Sequence, residues 1–181
     1  MDTSLQDALS FMKNQHGVSL EELNRDQPIM LVFLRHFGCI FCMEAMKDIA
    51  EQRATIEAKG VKIVLVHMSE NDVAESYLTE KNLGDIDHVS DPECRTYEMF
   101  GLLKGKFNQL FGLQVWLRTA ELTLKDLSSL RRKQIGDALQ MPGVFLIRNG
   151  AIADSYIHSR ASDRPNYEIL ASCCSTSAQA N

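Results

Sequence analysis

The stretch IMLVFLRHFGCIFCMEAM, residues 29–46, carries the signals that decide the fold of this chain. Its first part, Ile29–Arg35, is a short run of apolar and β-branched residues, which predicts a strand buried on both faces. Further on, Met43–Lys59 has apolar residues at helical spacing. The stretch therefore predicts a strand, a tight turn that contains Cys39 and Cys42, and a long helix.

The spacing of Cys39 and Cys42 predicts redox chemistry. The turn places both thiols at the first helical turn, where the partial positive charge of the helix N-terminus favours a thiolate. Arg35 and His36 lie just upstream and add positive potential. A thiolate is the species that attacks disulfides and peroxides. We therefore predict Cys39 and Cys42 as the reacting residues and Arg35 and His36 as activating residues.

Two other interpretations of the cysteine pair are weaker. Two idle core cysteines would be unusual at a strand-to-helix turn. A structural zinc site needs further ligands at tetrahedral spacing, and the sequence contains no second CxxC and no HxxxH motif. The sequence therefore predicts neither a metal nor an organic cofactor.

The rest of the chain alternates between strand and helix patterns. In order, we predict helices within residues 3–24, a strand at Val61–Met68, a helix at Asn71–Asn82, a short strand at His88–Ser90, a helix from Asp91-Pro92 to Phe100, a strand at Gly143–Arg148, a turn at Asn149-Gly150, a strand at Ala151–His158 and a last helix opened by Asp163-Arg164-Pro165. Alternating elements favour parallel pairing, and the late hairpin adds antiparallel strands.

This order predicts an α/β protein with a thioredoxin-like fold, in which a mixed sheet has helices on both faces. We expect residues 1–181 to form a single domain. Within it we expect an N-terminal helical extension at 1–27, a helical insert at 102–140 and a disordered tail at 175–181.

Met141 and Pro142 precede the hairpin strand, about a hundred residues after the cysteine pair. A thioredoxin fold has a cis-proline at this place, facing the dithiol, and X-Pro bonds are the bonds that accept the cis form at low cost. We therefore expect Met141 and Pro142 to line a substrate groove, with a trans proline that merely begins a strand as the alternative.

Composition excludes some functions. The chain has 181 residues, a net charge of −5 and 45% hydrophobic residues, which is typical of a globular protein and argues against nucleic acid or an anionic membrane as partner. The first residues lack a basic segment followed by an apolar one, so we expect a cytoplasmic protein with reduced cysteines.

Residues 35–42, RHFGCIFC, resemble the active-site signature of the peroxiredoxin-like 2 family, whose relatives are the AhpC/TSA proteins and selenoprotein L. Segments 91–101, 142–150 and 162–165 are similar to later parts of that family, so the resemblance spans about 29–170. It implies a thioredoxin fold, thiol redox activity and no metal. Peroxiredoxins also take an active-site Arg from a late strand, which makes Arg160 and Arg164 candidates.

The sequence departs from typical peroxiredoxins at one position. Those proteins have a Thr or Ser three residues before the peroxidatic Cys, whereas this chain has Cys39 before Cys42 and His36 before Cys39. Our first interpretation is therefore a thiol–disulfide oxidoreductase that acts on a disulfide-bearing protein. A thiol-dependent peroxidase acting on a small peroxide is the second, and a non-catalytic redox-sensing or binding module is the third.

Both catalytic interpretations require an external thiol reductant of the thioredoxin or glutathione type. We expect the chain to work as a monomer or as a homodimer.

Overall fold

The computed structural model describes residues 3–105, 110, 112–125 and 136–173. Its helices and strands, in chain order, are α1 (Thr3–Phe11), α2 (Leu20–Asp26), β1 (Ile29–Phe33), α3 (Ile40–Ala58), β2 (Lys62–His67), α4 (Asn71–Glu80), β3 (Asp87–Ser90), α5 (Arg95–Met99), α6 (Leu113–Lys125), β4 (Gly143–Arg148), β5 (Ala151–Ile157) and α7 (Tyr167–Ser172).

Within the described residues, one sheet has the strand order β3-β2-β1-β4-β5. The first three strands are parallel, whereas β4 and β5 each run antiparallel to their neighbour. Every residue of the central strand β1 is buried, because helices cover both faces of the sheet. The predicted mixed sheet with helices on both faces is confirmed.

The two faces of the sheet form separate apolar cores. One core joins alternate β1 side chains to α3, α4 and α7, and includes Met30, Val32, Met46, Ile49, Leu78 and Leu170. The other joins the remaining β1 side chains to α1 and α5, and includes Leu9, Leu31, Phe33, Tyr97 and Phe145. Burial of both faces fixes β1, so the loop that follows it has a rigid base.

The predicted turn at the late hairpin is confirmed. Asn149 and Gly150 have φ angles of 52° and 71°, both in the left-handed region that a two-residue type I′ turn requires. The buried Asn24 of α2 holds this turn from outside, since its amide donates to the Ile147 carbonyl (3.0 Å) and its Oδ1 accepts from Gly150 N (2.8 Å). Strand β5 ends at Ile157, one residue earlier than predicted.

The helix predicted to open at Asp91-Pro92 begins later, at Arg95. The Asp91 carboxylate accepts hydrogen bonds from the backbone N–H groups of Arg95 (3.1 Å) and Thr96 (2.8 Å). Cys94, between Asp91 and Arg95, has a left-handed conformation with φ 58°. Asp91 therefore caps the helix across a turn, and Pro92 lies in that turn instead of in the first helical turn.

The last helix also begins later than predicted. Asn166 is its N-cap and accepts a hydrogen bond from Ile169 N (3.0 Å), so α7 begins at Tyr167. The Asp163-Arg164-Pro165 segment precedes the helix as an irregular connection.

The predicted insert at 102–140 contains helix α6, which contacts α3. A bridge between Lys104 and Gln140 joins the two ends of this segment. Parts of the insert, and the predicted disordered tail at 175–181, lie outside the described residues. Among the helices described, none is long and apolar enough to cross a membrane.

Candidate active site

The loop between β1 and α3 presents the cysteine pair as the sequence predicts. Cys39 is the N-cap of α3, and its carbonyl accepts hydrogen bonds from the N–H groups of Cys42 (3.0 Å) and Met43 (3.1 Å). Its side chain makes no capping hydrogen bond. The Cys39 sulfur therefore lies at the positive end of a long helix without being used to satisfy the helix backbone.

Gly38 gives this loop its shape. Its φ is 95°, a conformation that side chains bearing a Cβ rarely adopt. We predict that Gly38→Ala lowers the free energy of unfolding by about 1–2 kcal/mol and slows thiol reactions, because relief of the strain displaces Cys39.

The matched control is Gly60→Ala, at a glycine with φ 74° and open space around its Cβ position. It should show a similar loss in urea unfolding but react with iodoacetamide at the wild-type rate. Equal reactivity of the two variants would contradict a role for Gly38 in placing Cys39.

Arg35 is buried beside the dithiol and reaches it directly. Its Nη1 donates to Cys39 Sγ at 3.4 Å, and its own backbone N–H donates to Cys42 Sγ at 3.2 Å. The other guanidinium nitrogens donate to the backbone carbonyls of Gln140 (3.2 Å from Nε) and Ala138. Two carbonyls at the C-terminal end of the insert thus help to hold one Arg35 nitrogen beside the Cys39 sulfur.

Gln140 reinforces this arrangement and was not singled out by the sequence. It is only 1% exposed. Its side-chain amide donates to the Leu102 carbonyl (2.8 Å) and to the Met141 carbonyl (3.3 Å). The Ala138 and Gln140 carbonyls that accept hydrogen bonds from Arg35 therefore belong to a segment that is itself held in place by hydrogen bonds.

The two thiols have opposite electrostatic environments. The pKa of Cys39 is lowered, first by a hydrogen bond from the Cys42 thiol and then by the charges of Arg35 and His36. Burial raises the pKa of Cys42 well above the value of a free thiol, and the neighbouring Cys39 acts in the same direction. The site therefore favours a Cys39 thiolate beside a protonated Cys42.

The two thiol residues differ little in exposure, at 7% for Cys39 and 3% for Cys42. Both are buried. Electrostatics, and not accessibility, separates the two cysteines.

His36 is half-buried, and its Nδ1 lies 3.2 Å from the Phe37 carbonyl. Its charge acts on Cys39 without a direct hydrogen bond to the sulfur among the described contacts. The structure therefore limits the predicted activating role of His36 to a charge effect that lowers the pKa of Cys39.

The prediction of a cis-proline is wrong, because no described peptide bond is cis. Met141 and Pro142 are also buried instead of lining an open groove. Pro142 still lies near the dithiol, since it lines a small cavity together with Cys42 and Arg35. A role of Met141 and Pro142 in substrate docking stays a prediction.

The cavity behind Cys42 contains an ion pair that sequence reasoning did not find as a pair. Arg164, a candidate by resemblance, lines this cavity and donates two hydrogen bonds to Asp48 of α3. The Asp48 side chain is 1% exposed, whereas that of Arg164 is 52% exposed. Arg160, the other candidate, is exposed and does not line the cavity.

This unequal burial predicts unequal costs of substitution. Arg164→Met should lower the free energy of unfolding by about 3 kcal/mol, because it leaves a buried carboxylate unpaired. Asp48→Asn should cost only about 1 kcal/mol, since the Arg164 guanidinium can turn to water. Urea unfolding of the two variants tests this order, and equal losses would contradict it.

The remaining described cysteines lie apart from the pair. Cys94 is buried, and burial raises its pKa to about 11, as expected for a small core residue. Cys173 is exposed and donates to Asp154 Oδ2 at 3.2 Å. In the part of the chain that the structure covers, no three His, Cys, Asp or Glu side chains are grouped as a metal site would need.

A mixed sheet, a long helix capped by Cys39 and a second thiol one turn later define the class of thioredoxin-fold thiol proteins. Comparison with known families makes this more specific. The model of the AhpC/TSA family matches residues 3–154, and the chain belongs to that family. The predicted relationship is confirmed.

Individual relatives agree with this assignment. The chain is 26% identical over 166 residues, or 87% of its length, to the chloroplastic thioredoxin-like protein AAED1 of Arabidopsis thaliana. It is 25% identical over 135 residues, or 74% of its length, to prostamide/prostaglandin F synthase of Salmo salar. The chain spans only 66% of the length of each of these two relatives.

A solved structure supports the fold. Peroxiredoxin Q of Xanthomonas campestris superposes with a TM-score of 0.65, at 14% identity and with 95% of each chain covered. Identity at this level supports the fold and leaves the chemistry to the site itself.

Proposed function

We propose that this protein is a thiol–disulfide oxidoreductase that cycles between a Cys39–Cys42 dithiol and a disulfide. The observation that carries the proposal is the contrast between the two sulfurs. Arg35 Nη1 lies 3.4 Å from Cys39 Sγ, whereas burial raises the pKa of Cys42. Cys39 is therefore the nucleophile of the first step, and Cys42 stays protonated until the second step.

The proposed reaction has two steps. The Cys39 thiolate attacks a substrate disulfide R–S–S–R, forms a mixed disulfide and releases one R–S⁻, which takes a proton from water. Cys42 then loses its proton and attacks the Cys39 sulfur, which forms the Cys39–Cys42 disulfide and releases the second R–SH. An external thiol reductant of the thioredoxin or glutathione type then returns two electrons to the pair.

We propose the cytoplasm as the compartment in which this cycle runs. Thiols are kept reduced there, so a dithiol with a low-pKa member would be maintained in its active form. A disulfide-bearing protein is the proposed substrate class.

A second candidate function, a thiol-dependent peroxidase, is favoured by membership of the AhpC/TSA family. In it the Cys39 thiolate would take one oxygen from a hydroperoxide and release the alcohol. The resulting sulfenic acid would then condense with the Cys42 thiol and release water. The same Arg35 would lie beside the peroxide oxygen.

One pair of rates separates the two functions. The fully reduced protein is mixed with hydrogen peroxide or with oxidised glutathione, and formation of the Cys39–Cys42 disulfide is followed by mass spectrometry after acid quench. We expect a peroxide rate constant near that of an ordinary thiolate and a disulfide rate constant at least about 100-fold above that of a free thiol at pH 7.

A peroxide rate constant many orders above that of a free thiol would overturn the first function and establish the second. Rates near those of a free thiol with both oxidants would contradict both and favour a redox-sensing module.

A further inference from the structure

His158 is a buried histidine with no role in the two reaction steps described above. It follows directly after β5, and its backbone N–H donates to the Pro142 carbonyl at 3.4 Å. The residue is 9% exposed, and its ring packs edge-on against Tyr156 with the centroids 5.3 Å apart. Its Nδ1 is buried and makes no well-formed hydrogen bond among the described residues, although the Arg160 backbone interacts with the ring.

His158 lines the same cavity as Cys42. The cavity measures about 20 Å³, which corresponds to roughly one water molecule. Arg35 and Pro142 line it as well. A buried ring nitrogen without a well-formed hydrogen bond is costly to keep, and the cavity that His158 shares with Cys42 has room for one water.

The surroundings of His158 keep its ring in the uncharged form, which can accept a proton. Burial lowers its pKa to about 4, and the nearby Arg35 acts in the same direction, although Asp163 and a hydrogen bond with the Arg160 backbone oppose them. The ring is therefore uncharged at neutral pH. The charged groups that line the cavity around it are Arg35, Glu44, Asp48, Asp163 and Arg164.

The second step of the proposed reaction needs such a group. Cys42 must lose its proton to attack, yet burial and the neighbouring Cys39 hold its pKa well above that of a free thiol. The departing R–S⁻ must gain a proton. Direct release of the Cys42 proton to bulk water is hindered because the sulfur is buried.

We propose that His158 is the proton-transfer residue of the resolution step. Its imidazole accepts the Cys42 proton through one water as Cys42 Sγ bonds to Cys39 Sγ and the Cys39–S–R bond breaks. The proton then passes to the departing R–S⁻, which leaves as R–SH. No net charge is created, and no further reactant is consumed. This inference rests on the proposed disulfide reaction and specifies how its second step proceeds.

The test resolves the two steps in a protein in which the adjacent cysteines near the end of the chain are replaced, by Cys173→Ser and Cys174→Ser. The reduced protein reacts with excess oxidised glutathione, and acid-quenched samples are analysed by mass spectrometry. The glutathionylated intermediate reports attack by Cys39, and its decay to the internal disulfide reports resolution by Cys42.

His158→Gln should slow the decay by about 100-fold at pH 7, within the range typical of a general base, and leave formation of the intermediate unchanged. The difference should shrink as pH rises, because hydroxide replaces the missing base. In the unsubstituted protein, the decay should be slower in D₂O by about twofold or more, as expected when proton transfer contributes to the rate.

His88→Gln is the matched control. His88 is also a buried histidine, 1% exposed, but it bonds to His67 (2.9 Å) and does not line this cavity. It should leave both steps unchanged. Should His158→Gln unfold, His158→Asn and the isotope effect still test the proposal.

Unchanged decay in His158→Gln, or equal slowing of both steps at every pH, would overturn the role of His158. If the unsubstituted protein forms no glutathionylated intermediate, the proposed disulfide reaction itself fails, which is a distinct outcome.

Discussion

Replacing Cys39 by serine is expected to abolish disulfide reduction, with a loss of at least about 1,000-fold, because the thiolate is the nucleophile and a serine hydroxyl stays protonated at neutral pH. Cys42 cannot substitute for it, since burial keeps Cys42 as a thiol. The measurement is the rate of oxidised glutathione consumption at pH 7 with a chemical reductant present.

Cys42→Ser is the matched comparison, because it separates attack by Cys39 from resolution by Cys42. That variant should attack the substrate disulfide at a rate near that of the wild type and then stop as a mixed disulfide on Cys39. A Cys39→Ser variant that reduces disulfides at a rate near the wild type would show that the order of attack is reversed.

Arg35→Met is expected to slow alkylation of Cys39 through the pKa of that thiol. Arg35 places a positive charge 3.4 Å from the Cys39 sulfur, so removing it should raise that pKa toward the free-thiol value of about 8.5. At pH 6 the thiolate fraction, and with it the rate of alkylation by iodoacetamide, should fall at least about tenfold, because each pKa unit is a factor of ten.

The size of this effect should decrease as pH rises. Above about pH 9 both proteins hold Cys39 mostly as thiolate, so the two rates should converge. Arg35→Lys keeps the charge but loses the planar fork that bonds to Ala138 and Gln140, and should give an intermediate rate at pH 6. A tenfold loss that is the same at every pH would indicate displaced structure instead of a shifted pKa.

The parts of the site that are local in sequence could be predicted from it. The strand, the Gly38 turn and the helix are contiguous, and each carries its own signal: an apolar run, a glycine and a helical repeat. The same is true of the Asn149-Gly150 hairpin, where two residues define the turn. These signals act over a few residues and do not depend on the rest of the fold.

Contacts between distant segments could not be predicted from the sequence. The Arg164–Asp48 pair joins positions 116 residues apart, and nothing in the family resemblance that made Arg164 a candidate indicates Asp48 as its partner. His158 looked like an ordinary strand residue because nothing in its neighbours indicates the cavity beside it. The carbonyls of Ala138 and Gln140 carry no side-chain signal at all, although they fix Arg35.

Two predictions made from local sequence patterns failed. A proline was taken to open the helix after Asp91, but the Asp91 carboxylate caps a helix that begins four residues later. The Met141–Pro142 bond was expected to be cis by analogy with thioredoxins, and it is trans. Helix boundaries and bond isomers depend on tertiary context that a sequence pattern does not contain.

Family membership and site geometry support different parts of the account. Membership of the AhpC/TSA family supports thiol redox chemistry in general. The choice between a disulfide and a peroxide substrate depends on the two sulfurs and their surroundings, where this chain has a Cys39–Cys42 pair and lacks the hydroxyl residue expected before a peroxidatic Cys.

The most direct test of the central claim is the pH dependence of alkylation at each cysteine, read by peptide mass spectrometry after brief exposure of the reduced protein to iodoacetamide. The account predicts that Cys39 is labelled first, with a midpoint well below the free-thiol value of about 8.5, and that Cys42 is labelled only at much higher pH. Labelling of Cys42 before Cys39, or a Cys39 midpoint at the free-thiol value, would contradict it.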